Sequence, residues 1–187
     1  YVTNGYMTLE ALRTLRSAGL DAMNIDIKGG RKAVLNYCDA DVEKVWRNAL
    51  EARKMGIWVE ITTLLIPEVN DSESEIREIA KRIREELGRD VPWHITRYFP
   101  AWEFERNVKI PPTPLKSLER AVEVGFEEGL NYVYLGNFPG HKYETTYCPS
   151  CKNPVIKRYG LQVLENLLTP SNACPFCGCE IAMGRKL

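Results

Sequence analysis

Apolar positions along this chain alternate between two periods, and each change of period marks an element. Leu9, Leu12 and Leu15 recur at helical spacing after Thr8 and stop at Gly19; Val42, Val45, Trp46 and Ala49 do the same ahead of Gly56. Ile76, Ile79, Ala80, Ile83 and Leu87 form the stripe of a third helix behind Ser72-x-x-Glu75. That spacing predicts a capping box, in which the serine hydroxyl and the glutamate each satisfy a backbone N–H of the first turn. A fourth helix is expected from Thr113-Pro114, read as an N-cap followed by proline at the first helical position. Its inward residues are Leu115, Leu118, Ala121, Val122 and Phe126, and Gly129 is its stop. Between the helices lie β-rich runs at 1–3, 22–27, 57–66, 93–99 and 132–135. The run 57–66 is strongly β-branched, ends at Pro67, and reads as a buried strand.

Strands alternating with helices imply βαβ units and a parallel sheet. Five strands are fewer than the eight of a closed barrel, so the units belong either to part of a barrel or to an open doubly wound sheet. The alternation ends near Gly140. From Thr145 the chain turns rich in cysteine, proline and turn residues, which suits a small metal-stapled module with too little apolar area to fold unaided. The expected domains are 1–140 and 141–187.

Composition narrows the function classes. The 187 residues carry 25 basic and 25 acidic side chains, a balance with no global pull toward nucleic acid or an anionic membrane. A mild basic excess from Lys142 onward, six Lys/Arg against three Asp/Glu, is ordinary for a small solvated module. No apolar run reaches the roughly 18 residues that span a bilayer, and no signal peptide is visible, so a cytoplasmic location is expected. The first residue is Tyr1, within a strand and without a preceding methionine; the stretch reads as the C-terminal part of something longer.

The tightest spacing in the chain is Cys148-Pro-Ser-Cys151 and Cys174-Pro-Phe-Cys177-Gly178, two Cys-x-x-Cys knuckles separated by 22 residues. Two residues between thiolates let both sulfurs close on one ion, and two knuckles supply the four soft ligands of a tetrahedral site. Structural zinc leads, ahead of a rubredoxin-like iron, an iron–sulfur cluster or a pair of disulfides. Cys38 and Cys179 stand outside the knuckles with no neighbouring histidine.

Ligands of parallel α/β folds bind at the C-terminal strand ends. Those ends here are Thr3-Asn4-Gly5, Asp26 through Gly30, Pro67 through Asn70-Asp71, Arg97 through Trp102, and Gly136-Asn137. Turn formation alone accounts for several of these residues. Asp26 and Lys28 are harder to place, because two charges at alternate positions of an apolar strand share a face and call for each other or for a ligand. Lys28 suits a carboxylate or phosphate; Asp26 suits an amine or hydroxyl. Arg97, beside Tyr98, Phe99 and Trp102, is either an anion clamp or a packed stem with a solvated head. His94, early in its strand, reads as a satisfied core or surface histidine, and His141 as a linker residue.

Taken together, Thr3-Asn4-Gly5, Asn24-Ile25-Asp26-Ile27-Lys28-Gly29, Leu65-Ile66-Pro67-x-x-Asn70-Asp71 and Trp93-His94-Ile95-Thr96-Arg97-Tyr98-Phe99-Pro100 resemble the later part of radical SAM enzymes related to the pyruvate formate-lyase activating enzyme. Within that group they are most similar to the AmmeMemoRadiSam-system proteins, which also carry paired terminal knuckles. The resemblance implies the C-terminal portion of a partial (β/α)6 barrel followed by a small zinc-ribbon-like module with four cysteine ligands. It implies a [4Fe–4S] cluster that reductively cleaves S-adenosylmethionine, giving a 5′-deoxyadenosyl radical that abstracts hydrogen from a substrate. It implies an electron donor such as flavodoxin or ferredoxin and an unknown substrate, for which a glycyl-radical partner protein is an analogy only. By the same resemblance Thr3 and Asn4 lie near the cofactor, Asp26 and Lys28 contact its methionine end, and Asn70 and Asp71 form a nearby turn; Arg97 joins this set of cofactor-side candidates.

Three departures stand out: Val2 where the family tends to have an acidic residue, Glu68 where glycine often follows the strand-ending proline, and no Cys-x-x-x-Cys-x-x-Cys cluster motif. That motif would precede Tyr1, so the stretch by itself is not expected to run the radical reaction. Two other readings compete. One is a zinc-ribbon module that docks protein or nucleic acid on an α/β scaffold. The other is a barrel enzyme for a phosphorylated metabolite, with Lys28 and Arg97 as anion clamps.

Overall fold

A computed structural model describes residues 1–101 and 109–184. Its main body is a parallel sheet of β1 (Val2–Thr3), β2 (Ala22–Asp26), β3 (Trp58–Leu65), β4 (Trp93–Arg97) and β5 (Val133–Gly136). The described helices of this body are α1 (Leu9–Ser17), α2 (Arg31–Cys38), α3 (Val42–Lys54), α4 (Glu73–Arg82, continued by a π-helical turn Ile83–Leu87) and α5 (Leu115–Glu127). Spatial order equals sequence order, β1 through β5, with every neighbour parallel. A doubly wound sheet reverses its strand order at a switch point; this one does not, so it is the wall of a barrel.

Strand periodicity divides the sheet into unlike faces. Met23, Ile25, Val59, Ile61, Trp93, Ile95, Val133 and Leu135 are buried and join Leu12, Val45, Trp46, Ile76, Ile79, Leu118 and Val122 of the helices in one core. The alternate positions carry Asn24, Asp26, Glu60, Thr62, His94, Thr96 and Tyr134. The expected buried strand at 57–66 is buried on one face only: β3 alternates strictly between intermediate and buried positions.

Local chemistry explains most helix ends, and where it departs from expectation it ties neighbouring units together. Thr8 and Asp41 cap α1 and α3 through their side chains, and Ser72 accepts the N–H of Glu75. The glutamate of that predicted capping box does not return to Ser72; its Oε1 accepts the N–H of Gly30, tying the start of α4 to the loop after β2. Thr113 is not the N-cap of α5 either, since Pro114 occupies that position. The Thr113 hydroxyl accepts the N–H of Tyr98 and donates to the carbonyl of Leu65, so it bridges the ends of β3 and β4. Phe126, expected inward, is 40% exposed and meets the ring of Tyr143. Helix α2 was not anticipated from periodicity, because it is eight residues long, has no side-chain cap and buries only Ala33 and Val34. Glu68 takes φ of 65°, the left-handed region where glycine carries no Cβ penalty, and Asp71 Oδ1 accepts its N–H.

After β5 and a short 3-10 turn, β6 (Thr146–Tyr147), β7 (Pro154–Tyr159) and β8 (Gln162–Asn166) form a small antiparallel sheet. Its core is Cys148, Val155, Ile156, Cys174 and Ile181 together with Tyr132, which arrives from the large sheet. The Tyr132 hydroxyl accepts the N–H of Ala182, and Tyr134 is hydrogen-bonded to Thr146 at 3.0 Å. Trp102, named beside Arg97, and Arg185 and Lys186, which count toward the basic excess after Lys142, lie outside the described residues.

Thr113 is fully buried, so Thr113→Val keeps the shape while leaving buried backbone groups of Tyr98 and Leu65 without their partner. A loss of about 1–3 kcal/mol is expected, read as a lower urea midpoint with an unchanged slope.

Candidate functional site

The C-terminal rim of the sheet gathers the residues singled out from the sequence. The Thr3 hydroxyl accepts the N–H of Gly5 and the Asn4 side chain accepts that of Tyr6, so both shape the turn after β1. Asp26 and Lys28 pair at 2.6 Å while 30% and 42% of their side chains stay exposed. Asn4, Asp26 and Lys28 line a cleft of about 140 Å³ together with Tyr6 and Cys38. Asn70 is 1% exposed and fully used: it accepts the N–H of Ile66 and donates to the carbonyls of Lys28 and Leu64. It holds the end of β2 against the end of β3, and its geometry is that of a positioning residue. Asp71 is likewise engaged in its own turn. Arg97 does not line the cleft; its Nε donates to the carbonyl of Thr113, and its guanidinium lies 4.7 Å from the Phe99 ring centre and 5.4 Å from that of Phe138.

An exposed ion pair of this kind contributes little to folding, about 0–1 kcal/mol, so its partners can be exchanged for a ligand at small cost. An ammonium beside a carboxylate is the complement of a zwitterionic amino-acid group. The rim thus offers one group of each sign to a zwitterionic ligand.

A second polar group lies deeper on the same sheet face. Glu60 Oε1 accepts the Trp58 indole N–H at 2.9 Å, and Oε2 is 2.7 Å from His94 Nε2. The His94 ring stacks on Tyr134 with centroids 5.2 Å apart. Thr62 donates to the Asn24 side chain at 2.8 Å. Burial opposes ionisation of Glu60, but the hydrogen bonds from His94 and Trp58 outweigh it and hold the carboxyl below its usual range. Burial pushes the Tyr134 hydroxyl upward. His94, expected to be a satisfied core or surface histidine, is half-buried and satisfied by Glu60 within this row. The signal that could have revealed the row is the period-two polarity of Trp58-Val-Glu-Ile-Thr, with polar side chains at every second position.

The four knuckle cysteines converge, with all four sulfurs within 4.8 Å of one another. Cys148 and Cys177 sulfurs lie 3.5 Å apart, and those of Cys151 and Cys174 3.6 Å. Neither separation is a disulfide bond, and all four thiols are free. Four sulfurs at about 2.3 Å from one ion stand about 3.8 Å apart, so the arrangement fits a single tetrahedral metal. The residue after each knuckle, Lys152 or Gly178, has φ of 61° or 75°, and its N–H returns to the carbonyl of the knuckle's first cysteine. Backbone and amide N–H groups of Asn153 pull the Cys151 thiol down to about 6, while burial pushes Cys148 and Cys174 up. His141 plays no part here; its Nε2 is 3.2 Å from Glu119 and its Nδ1 accepts the N–H of Tyr143. Cys179 stays outside the group, with its sulfur 3.5 Å from the Glu180 carbonyl.

Comparison with known proteins agrees with this architecture. Residues 1–87 match the model of the Radical SAM superfamily. The uncharacterized protein MJ0808 of Methanocaldococcus jannaschii is 42% identical over 181 residues, which is 96% of this chain and 53% of that protein. The chain therefore spans about half the length of this curated relative. Among solved structures, a domain of pyruvate-formate lyase-activating enzyme from Bacteroides vulgatus superposes with a TM-score of 0.60 at 15% identity, over 72% of this chain and 79% of that one. A radical SAM methyltransferase from Sphaerobacter thermophilus gives 0.57 at 14% identity, over 73% and 40%. At such identities these structures speak for the fold. No described helix is long and apolar enough to cross a membrane.

Two outcomes are expected. The purified protein should carry one metal ion per chain by elemental analysis, and Cys148→Ser should lose it together with the chemical-shift dispersion of the 146–181 amides. Because the Glu60 carboxyl is depressed in the folded state, its contribution is present above the ordinary value of about 4.3 and is lost as pH falls through the depressed one. Glu60→Gln should therefore flatten the acid side of a stability-versus-pH curve measured by urea denaturation.

Proposed function

We propose, on the match of residues 1–87 to the Radical SAM superfamily model, that the chain forms the cofactor-side rim and the substrate-facing wall of an enzyme that cleaves S-adenosylmethionine reductively. The observation that carries the reading is the coincidence, on one sheet face, of an exchangeable Asp26–Lys28 pair at the C-terminal rim and an ordered polar row below it. When bound, the cofactor and a [4Fe–4S] cluster would supply a 5′-deoxyadenosyl radical, with an electron from a donor such as flavodoxin or ferredoxin. The cluster would be held by cysteines of the parent protein outside this stretch.

The chain's own residues have separate tasks. Lys28 would take the carboxylate of the methionine end and Asp26 its amino group, with Asn70 fixing the backbone that presents Lys28. The helix-covered face gives these groups a rigid mount, because β2 and β3 are locked to α3 and α4 by the buried core. The four-cysteine site would hold one zinc ion in a closed tetrahedron and act structurally, since four protein ligands leave no position for a substrate.

The test uses the full-length parent reconstituted with iron and sulfide and a chemical reductant. Formation of 5′-deoxyadenosine supports the reading, and its failure to form with an intact cluster counts against it. Lys28→Ala should weaken S-adenosylmethionine binding about tenfold by calorimetry, equivalent to roughly 1.4 kcal/mol. Unchanged affinity removes Lys28 from the site.

A further inference from the structure

The polar row does not end at the sheet. A cavity of about 670 Å³, within the range of small-molecule sites, lies between the inner face and the four-cysteine module. Asn24, Glu60, His94 and Tyr134 line it from the large sheet, and Arg158 and Leu161 line it from the module. Arg158, on β7, places its guanidinium 5.7 Å from the Tyr134 ring centre, on the ring that also stacks on His94. Its Nη1 donates to Thr146 Oγ1 at 2.7 Å and to the Glu144 carbonyl at 3.3 Å, and the guanidinium also hydrogen-bonds the Tyr134 hydroxyl. No carboxylate of the described residues comes within ion-pair distance of it. The neighbouring Glu144 carboxylate is already committed, accepting the N–H groups of Gly140 and Gly160 at 2.7 and 3.0 Å. The Gly160 bond ties the β7–β8 turn, whose Gly160 and Leu161 line the cavity, to Glu144 of the linker.

A guanidinium that has no carboxylate partner among the described residues and lines a partly enclosed cavity is a receptor for an oxyanion. Glu60, by contrast, is acceptor-only when ionised, and its two oxygens retain lone pairs beyond the bonds from Trp58 and His94. It lies on β3, two strand spacings or about 10 Å across the sheet from β5, over which Arg158 sits. We propose that this cavity binds an elongated small molecule that is anionic at one end and carries an N–H or O–H donor at the other. Arg158 of the four-cysteine module holds the carboxylate or phosphate, and Glu60 of the sheet receives the donor. The metal-bound module is then a working part of the binding site, because the guanidinium is placed by strands that the knuckles hold. This deepens the reading above by naming the ligand class of the inner face, yet its test requires neither S-adenosylmethionine nor cluster, so the two can fail separately.

The test is calorimetric binding to the full-length, metal-loaded parent of three probes: inorganic phosphate, hexanoate and 6-aminohexanoate. Saturable one-to-one binding of at least one probe is expected, weakened about tenfold or more by Arg158→Gln. Lys157→Gln should leave binding unchanged, since Lys157 is exposed and paired with Glu165. Phosphate binding without carboxylate binding assigns the anionic end to phosphate; the reverse assigns it to a carboxylate. 6-Aminohexanoate should bind more tightly than hexanoate, and Glu60→Gln should abolish that difference. Removing the metal of the knuckles with a chelator should abolish binding altogether. If Arg158→Gln loses its metal, Arg158→Lys, which keeps the charge but not the fork, serves in its place and should still weaken binding. The proposal is overturned if no probe binds saturably, if the metal-retaining Arg158 variant binds as the unmodified protein does, or if metal removal leaves binding intact.

Discussion

The constraint on which this molecule depends is a parallel sheet whose described helices cover only one of its faces. Parallel sheets are ordinarily buried on both sides, because their crossover helices lie against them. Here sequential strand order puts the core of Ile25, Ile61, Trp93 and Ile95 on one side and leaves the other to polar chemistry. Asn24, Asp26, Glu60, Thr62 and His94 then occupy positions that a two-sided sheet would fill with Val or Ile. Groups of this kind are costly without partners, which is why each of Asp26, Glu60 and His94 is found paired.

The small module follows from the same constraint. Its own apolar core is a handful of residues, too few to fold on hydrophobic burial alone, and it borrows Tyr132 and Tyr134 from the sheet. Four converging cysteines supply the remainder if metal binding is coupled to folding. In exchange the module covers part of the exposed polar face. The Glu144 carboxylate, satisfied by two backbone N–H groups from the linker and the hairpin turn, fixes where that cover sits. Metal site and sheet face are thus mechanically linked although their residues lie far apart in sequence.

At the rim, the residues divide into those that could touch a ligand and those that hold them. Asp26 and Lys28 form a pair open to solvent, while Asn70 spends its amide donors and its acceptor on backbone groups of the loop after β2, of β3 and of the loop between β3 and α4. Glu75 and Thr113 do comparable work where a local helix cap was expected: Glu75 ties the start of α4 to the loop after β2, and Thr113 bridges the ends of β3 and β4. Side-chain polar groups near a strand end are therefore better understood by asking which two segments they join than by the turn they begin.

Periodicity and β-rich composition determined the five strands of the large sheet and four of the five described helices, because alternation and helical spacing are local consequences of backbone geometry. The Cys-x-x-Cys spacing was equally legible, since two intervening residues fix the reach of both sulfurs. The Asp26–Lys28 pair could be singled out because two charges on an apolar strand are conspicuous. What sequence could not decide was partnership. Whether Glu60 meets His94, whether Glu75 closes its own capping box or reaches Gly30, and whether Thr113 caps a helix or bridges two strands depend on segments 30 to 50 residues apart. Strand register and the packing of the module on the sheet bring those segments together, and a side chain with several possible hydrogen-bond partners takes the one that tertiary structure puts within reach.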